Sequence, residues 1–248
     1  MSIIGVNTNK LSLNISKTHY IIFKSKNRVI QTEKAICING IMVDRVETTK
    51  FVGLHLDSSF KWLTHINNVK NKISKGMGII YKARKLLNKP SLVTLYYSFI
   101  YPHLMYCVEA WGNSAVTYMD SLIKVQNRVV RIITSSSFYA SAGPLYEELS
   151  ILPFSDLFKQ TVVIFMFKFV KGMLPPIFNN MFLRNYEVRD RLTRSRHKFY
   201  VPTCKTSLCQ KSLRSMGPRL WNDIGESIDH FCSLHTFKRR VKSYLSSC

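Results

Sequence analysis

The hydrophobic pattern changes character near Phe60, and that switch constrains the fold more than any other feature of the chain. Before it, apolar residues come in short runs separated by turn signals. Tyr20-Ile21-Ile22-Phe23 reads as an apolar strand. Residues 35–38 and 41–43 flank Asn39-Gly40, a strong two-residue hairpin signal because both turn positions need positive φ. Residues 50–57 (KFVGLHLD) alternate Phe51, Gly53 and His55 against Val52, Leu54 and Leu56, which predicts one strand packed mainly on one face. After Phe60 the spacing becomes helical. Between residues 62 and 89, Ile66, Val69, Ile73, Met77, Ile80 and Leu87 fall three or four apart and form one stripe, with Pro90 as the stop. Residues 91–106, 118–134, 154–173 and 234–245 read as further helices. In residues 118–134, Leu122, Val125, Val129 and Ile132 or Ile133 point inward, and residues 154–173 are apolar enough to be central. The expected fold class is α+β, predominantly α: a small strand and hairpin region followed by helices.

At 248 residues, with 46% hydrophobic residues, 8 prolines and 10 glycines, the chain can bury a sizeable core and is not a disordered tail. Charge narrows its partners. The 36 Lys and Arg exceed the 14 Asp and Glu, for a net +22, and such a surplus points to a polyanion, nucleic acid first. An anionic membrane surface is the lesser competitor, and no membrane partner is expected. The uninterrupted apolar run 162–167 is too short to span a bilayer, and the first residues carry no signal-peptide pattern. Six cysteines scattered at 37, 107, 204, 209, 232 and 248 form no dense framework and predict reduced thiols in an intracellular protein, nuclear or cytoplasmic.

The positive charge is unevenly placed. Residues 58–108 contain no acidic residue and eight Lys and Arg. Projected on a helix, Lys75, Lys82, Lys85 and Lys89 fall together, roughly opposite the apolar stripe. Lysines prefer water on any helix, but an ordinary solvated face mixes signs, and this one does not. Such a rail can follow a phosphate backbone without reading its sequence. A second basic stretch, residues 184–206, carries Arg184, Arg189, Arg191, Arg194, Arg196, Lys198 and Lys205 and reads as a linker or exposed arm. Its arginines suit phosphate. Tyr186, Phe199 and Tyr200 are candidates to stack on bases.

Four stretches together carry a resemblance. Leu11-Ser-Leu-Asn14-Ile-Ser-Lys17-Thr18-His-Tyr20-Ile-Ile-Phe23 resembles the segment that follows the YADD turn in reverse transcriptases of LINE-type, jockey-like non-LTR retrotransposons. Thr49-Lys-Phe-Val-Gly53-Leu-His-Leu-Asp57, with Phe60-Lys-Trp62 and His65-Ile66, is similar to that family's primer-grip region. Tyr96-Tyr-Ser-Phe-Ile-Tyr-Pro102-His-Leu-Met-Tyr106, Ala110-Trp111-Gly112 and Gln126-Asn127 are similar to its thumb and the region after it. Gly217-Pro-Arg-Leu-Trp221-Asn222 and Phe237-Lys238 resemble its closing segment, although Ile224 and Gly225 stand where the family has Leu-Pro. Trp221 itself reads as a core aromatic.

The resemblance implies an RNA-directed DNA polymerase whose palm ends within residues 1–60. A thumb-like helical region would then span 61–135, a further helical region 136–183, and a basic arm and tail 184–248. It implies RNA template or RNA–DNA hybrid as partner, together with the N-terminal palm and fingers of the same polymerase. The complete family enzyme uses Mg2+ held by aspartates. Here the seven aspartates, at 44, 57, 120, 156, 190, 223 and 229, include no adjacent pair, so no cofactor and no polymerisation are expected of the chain as given. Lys17 matches the lysine thought to protonate the departing pyrophosphate as general acid, with Asn14 shaping its turn. The alternative is a non-catalytic basic nucleic-acid-binding protein derived from a transposable element. Cys204-x4-Cys209 with His230, Cys232 and His235 has ligand types for zinc, but its irregular spacing predicts no metal site. Gly76-Met-Gly78 lies inside a helix and is not a nucleotide loop.

Overall fold

The computed structural model describes residues 14–24, 36–188, 194–228 and 232–247. The chain is α+β and mostly helical, and it divides into two compact units, residues 1–65 and 66–248.

Among its described residues the first unit is built from three two-stranded pairings. β1 (His19–Tyr20) runs parallel to β4 (Asp44–Arg45). β2 (Cys37–Ile38) and β3 (Ile41–Met42) form the expected hairpin about Asn39 and Gly40, with φ of 51° and 76°. Residues 50–57 correct the expectation of a single strand. They contribute to β5 (Thr48–Phe51) and β6 (Leu54–Asp57), which pair antiparallel about Val52 and Gly53, at φ 45° and 81°. Gly53 supplies the left-handed conformation at no steric cost, whereas a β-branched residue beside it obscures the turn signal.

Asp57 ends β6 and organises the next turn. Its carboxylate accepts from Ser59 N at 3.1 Å, Ser59 Oγ at 2.8 Å, Lys61 N at 2.9 Å and Trp62 N at 2.7 Å. Those bonds hold Phe60 and Trp62 at φ 52° and 64°, a region costly for aromatic side chains. Phe23 stacks on Phe60 at 4.4 Å, and Trp62 meets His65 edge-on at 6.0 Å.

The second unit is helical. α1 (Leu63–Ala83) crosses the boundary between the units and buries Ile66, Val69, Ile73 and Ile80, while Met77 is half-buried and Leu87, predicted inward, is exposed. The helix ends seven residues before Pro90, because Asn88 caps a new one, α2 (Lys89–Phe99), by accepting from Ser91 N at 3.0 Å. Pro90 is therefore a starter, in the first turn where a missing N–H costs nothing. The predicted helix 91–106 breaks at Ile100, before α3 (Tyr101–Met105), where Pro102 again sits in the first turn. α4 (Val108–Trp111) follows. Leu92, Tyr96, Ile100, Leu104, Val108 and Trp111 keep a near four-residue period and are all buried. At Gly76 a Cβ would lie 2.8 Å from Ile100 Cδ1 and 2.9 Å from Phe99 O, so this glycine exists for close helix packing.

α5 (Val116–Ile133) and α6 (Gly143–Glu148) lead to α7 (Phe154–Val170), the predicted central helix, which buries Phe154, Leu157, Phe158, Val162, Val163, Met166 and Phe167. Gln126 of α5 is fully buried where Val125, half-buried, was expected. Its Nε2 donates to Tyr96 Oη at 2.9 Å and Leu152 O at 3.1 Å, and its Oε1 accepts from Phe154 N at 2.9 Å, at the start of α7. α8 (Asn185–Val188), α9 (Ser207–Lys211) and α10 (Leu213–Leu220) follow, then a π turn (Trp221–Gly225) and α11 (Leu234–Ser246). α10 and α11 pack on α7. Trp221 is buried, as its core reading requires, and stacks 6.1 Å from Phe237, which stacks 4.2 Å from Phe167.

Candidate nucleic-acid interface

α1 and α5 bound an open groove of about 830 Å³. From α1 come Lys70, Ser74 and Met77, one side of a helix at four- and three-residue steps. From α5 come Thr117, Asp120, Ser121, Lys124, Val125, Asn127, Arg128 and Arg131, and Phe138 stands at the edge. Cations Lys70, Lys124, Arg128 and Arg131 face this space together with a single acid, Asp120. The positive charge is fixed on helices. Asn127 accepts from Tyr146 Oη at 2.8 Å, and Arg131 Nε donates to Ala140 O at 2.8 Å. Burial pushes the Tyr146 phenol far up, so it stays a neutral donor.

The groove lies beside the predicted lysine rail rather than on it. Lys75 and Lys82 are exposed on α1, about 10 Å apart along its axis, on a flank turned away from Lys70 and Ser74. Lys85 and Lys89 do not continue that flank. The helix ends at Ala83, Lys85 lies in the turn, and Lys89 opens α2 and pairs with Glu148. The helical projection fails there because its axis does not extend past residue 83.

The basic arm is also more structured than a linker. Arg194 and Arg196 are exposed, whereas Arg191 lies outside the described residues. Phe199, expected to stack on bases, is 2% exposed and unavailable. Asn222 clamps its backbone, accepting from Phe199 N at 3.0 Å and donating to Phe199 O at 2.9 Å. Arg184 covers its ring at 3.8 Å. Tyr186 stays exposed and Tyr200 half-buried.

Lys17 is exposed in a short 3-10 turn (Ile15–Lys17). Asn14 O shapes that turn, accepting from Lys17 N at 3.2 Å and Thr18 Oγ1 at 2.8 Å.

Among the described acids, the Asp57 carboxylate is engaged by the turn it caps, and Asp156 pairs with Lys159 at 2.8 Å. Among the described residues no three His, Cys, Asp or Glu gather as a metal site. Cys204 and Cys209 form a disulfide, correcting the expectation of reduced thiols. Thr206 caps α9 between them, accepting from Cys209 N at 3.2 Å, and brings their Cα atoms to 5.5 Å, within bridging range. Cys37 and Cys107 are free thiols, and His230 lies outside the described residues. No helix among those described is long and apolar enough to cross a membrane.

What the sequence reading missed is the groove itself, both Lys70 on α1 and its partners on α5. Lys124, Arg128 and Arg131 stand at four- and three-residue steps, a visible signal, but their partner Lys70 is more than fifty residues away.

Known proteins provide an independent comparison. The chain is 22% identical over 149 residues to a probable RNA-directed DNA polymerase from transposon X-element of Drosophila melanogaster, covering 59% of this chain and 16% of that protein. It is 23% identical over 154 residues to the RNA-directed DNA polymerase from mobile element jockey of Drosophila funebris, covering 60% and 16%. With a probable RNA-directed DNA polymerase from transposon BS of Drosophila melanogaster it shares 25% over 120 residues, covering 46% and 13%. No family model matches the chain, and no solved structure matches it. The aligned part is thus a small share of each relative's length. Over about half of its own length or slightly more, this chain is similar to the RNA-directed DNA polymerases of jockey-like non-LTR retrotransposons.

Proposed function

We propose that this chain is the nucleic-acid-holding C-terminal portion of a retroelement RNA-directed DNA polymerase. In this reading residues 1–60 end the palm, 61–135 form a thumb-like region, 136–183 continue it, and 184–248 add a basic arm and tail. It grips RNA template or RNA–DNA hybrid. The observation that carries the reading is the α1–α5 groove, with four cations to one acid on fixed helices. Lys75 and Lys82, on another flank of α1, and Arg194 and Arg196 add further exposed positive charge. The chain holds the polymer and leaves nucleotidyl transfer to carboxylates and Mg2+ elsewhere in the polymerase, with Lys17 as the general acid that acts once they are present.

The test is fluorescence anisotropy of a labelled RNA–DNA hybrid across a salt series. Four phosphate contacts predict a slope of log K on log salt near −3.6, about a hundredfold loss between 50 and 200 mM. Replacing Lys124→Glu and Arg128→Glu together should weaken binding at least tenfold and flatten the slope. Binding that is undetectable, or indifferent to both salt and these charges, sinks the proposal.

A further inference from the structure

The loop from α5 to α6 holds two aromatic side chains out into water at the edge of the basic groove. Phe138 lines the groove and is 64% exposed, and Tyr139 is 90% exposed. Their rings meet edge to face, 5.3 Å apart at 89°. The loop that carries them is tied at several points. Ser135 enters it at φ 55°, Ser136 N donates to Arg131 O at 3.0 Å, and Thr134 Oγ1 lies 2.8 Å from Ser136 Oγ. Ala140 N donates to Ser137 O at 3.1 Å, and Ala140 O accepts from Arg131 Nε at 2.8 Å. Arg131 therefore does two things: it adds charge to the groove and fixes the loop that presents the rings. Because the loop is already ordered, exposing the pair to a ligand costs little further entropy.

We infer that Phe138 and Tyr139 form a stacking platform for unpaired bases, and that the groove beside them holds the phosphates of the same single strand. The inference rests on the polynucleotide partner proposed above and goes beyond it by specifying strandedness. Lys70, Lys124 and Arg128 supply sequence-blind attraction to phosphate, equal in kind for duplex and single strand. A ring face adds what charge cannot. Inside a duplex both faces of a base are covered by its neighbours, whereas an unpaired base has a free face for an aromatic side chain. The perpendicular rings cannot both join one continuous stack, so the platform takes a base on one ring, with the other as a side wall. Every base has such a face, so the preference is for single strands and not for a sequence.

The experiment uses the full chain and three labelled probes: a twelve-nucleotide oligouridine RNA, the matching oligothymidine DNA and a blunt duplex. Binding is read by anisotropy, with a 2-aminopurine base in a parallel single strand to report stacking by its quenching. Phe138→Ala with Tyr139→Ala should weaken both single strands by tenfold or more and abolish the quenching. Duplex binding and the salt slope should not change. Phe138→Trp with Tyr139→Phe should restore single-strand binding, which separates lost rings from a damaged loop. If the alanine variant binds single strands as the parent does, or loses duplex to the same degree, the platform is wrong while the groove proposal stands. A loss confined to one sugar type assigns the contact to the sugar and also overturns stacking. If the parent chain binds none of the three probes, the groove proposal fails first.

Discussion

The two units of this chain hold themselves together by different means. In residues 66–248 the helices share a dense apolar interior, with Trp111, Trp221, Tyr96, Phe167 and Phe237 essentially inaccessible. In residues 1–65 the described apolar side chains that are buried are Val43 and Trp62, while Phe23, Ile36, Ile41, Met42, Phe51 and Val52 are exposed. That smaller unit depends on turn geometry and on hydrogen bonds at Asp57 and Glu47. Glu47 accepts from Ser58 Oγ at 2.5 Å and from Arg45 Nη2 at 2.9 Å. The contrast teaches where function can be read. A unit fixed by packing can display charge on rigid helices, and a unit fixed by polar turns is sensitive to single atoms at its bends.

The harshest way to break the contrast is to remove a core ring. Trp221 touches the interior on several sides: Phe237 at 6.1 Å, Phe199 at 6.4 Å, and Gly225, whose absent side chain leaves room for the indole. Trp221→Ala should cost about 3–5 kcal/mol in the helical unit. Urea unfolding followed by far-UV circular dichroism should show the midpoint fall, while amide exchange within β5 and β6 stays as in the parent. Loss of protection in both units together would mean that one cooperative structure spans the chain.

A smaller effect is expected at Asp57. Partial burial pushes its carboxyl up, but the hydrogen bonds from Lys61 N, Ser59 and Trp62 N outweigh it and leave it below the usual carboxylate range. A carboxylate held down by folding lends stability that is complete above its unfolded pKa and is lost as pH falls through the folded value. The turn that leads into α1 should therefore loosen below about pH 4, near the ordinary aspartate range. Hydrogen exchange at the Lys61 and Trp62 amides should rise there, beyond the change expected from pH alone. Asp57→Ala should produce the same loosening at neutral pH, with a loss of about 1–2 kcal/mol, as for other side chains that cap backbone amides. If these amides stay protected in the variant, the carboxylate is not what holds Phe60 and Trp62 at positive φ.

How much of this was legible follows from the range of each interaction. The Asn39-Gly40 hairpin, the α7 core helix and the buried Trp221 were readable because a local pattern decides each. The break at Ile100 was not, since the apolar period runs straight through it and only Pro102 hints at a new start. Gln126 was hidden for another reason: a polar residue reads as surface until three partners from α2 and the approach to α7 surround it. Phe199 reads as an exposed aromatic in an arginine-rich stretch, and only Asn222, 23 residues later, places it in the core. The groove itself was not legible: Lys70 lies off the predicted rail, and its cationic partners stand on α5. Of the named cations, Lys75 and Lys82 share the predicted flank, whereas Lys89 is drawn away to Glu148.

The mildest change sharpens the contrast by improving the weaker unit. Val52 sits at φ 45° in the two-residue turn between β5 and β6, with Gly53 at 81° beside it. A β-branched side chain resists the left-handed region, whereas asparagine enters it readily, and Asn-Gly is the preferred pair for a turn of this twist. Val52 is also 68% exposed, so shortening and polarising it sacrifices little burial. Val52→Asn should therefore stabilise the β5–β6 hairpin by about 1 kcal/mol, within the cost of a left-handed β-branched residue. Slower amide exchange on Phe51 and Leu54 would report it. The helical unit should unfold at the parent's midpoint, because nothing in that core depends on how this turn is made. If the asparagine variant is less stable, Val52 contributes more through contact than it costs in conformation. The hairpin would then belong with the packed unit rather than with the turns.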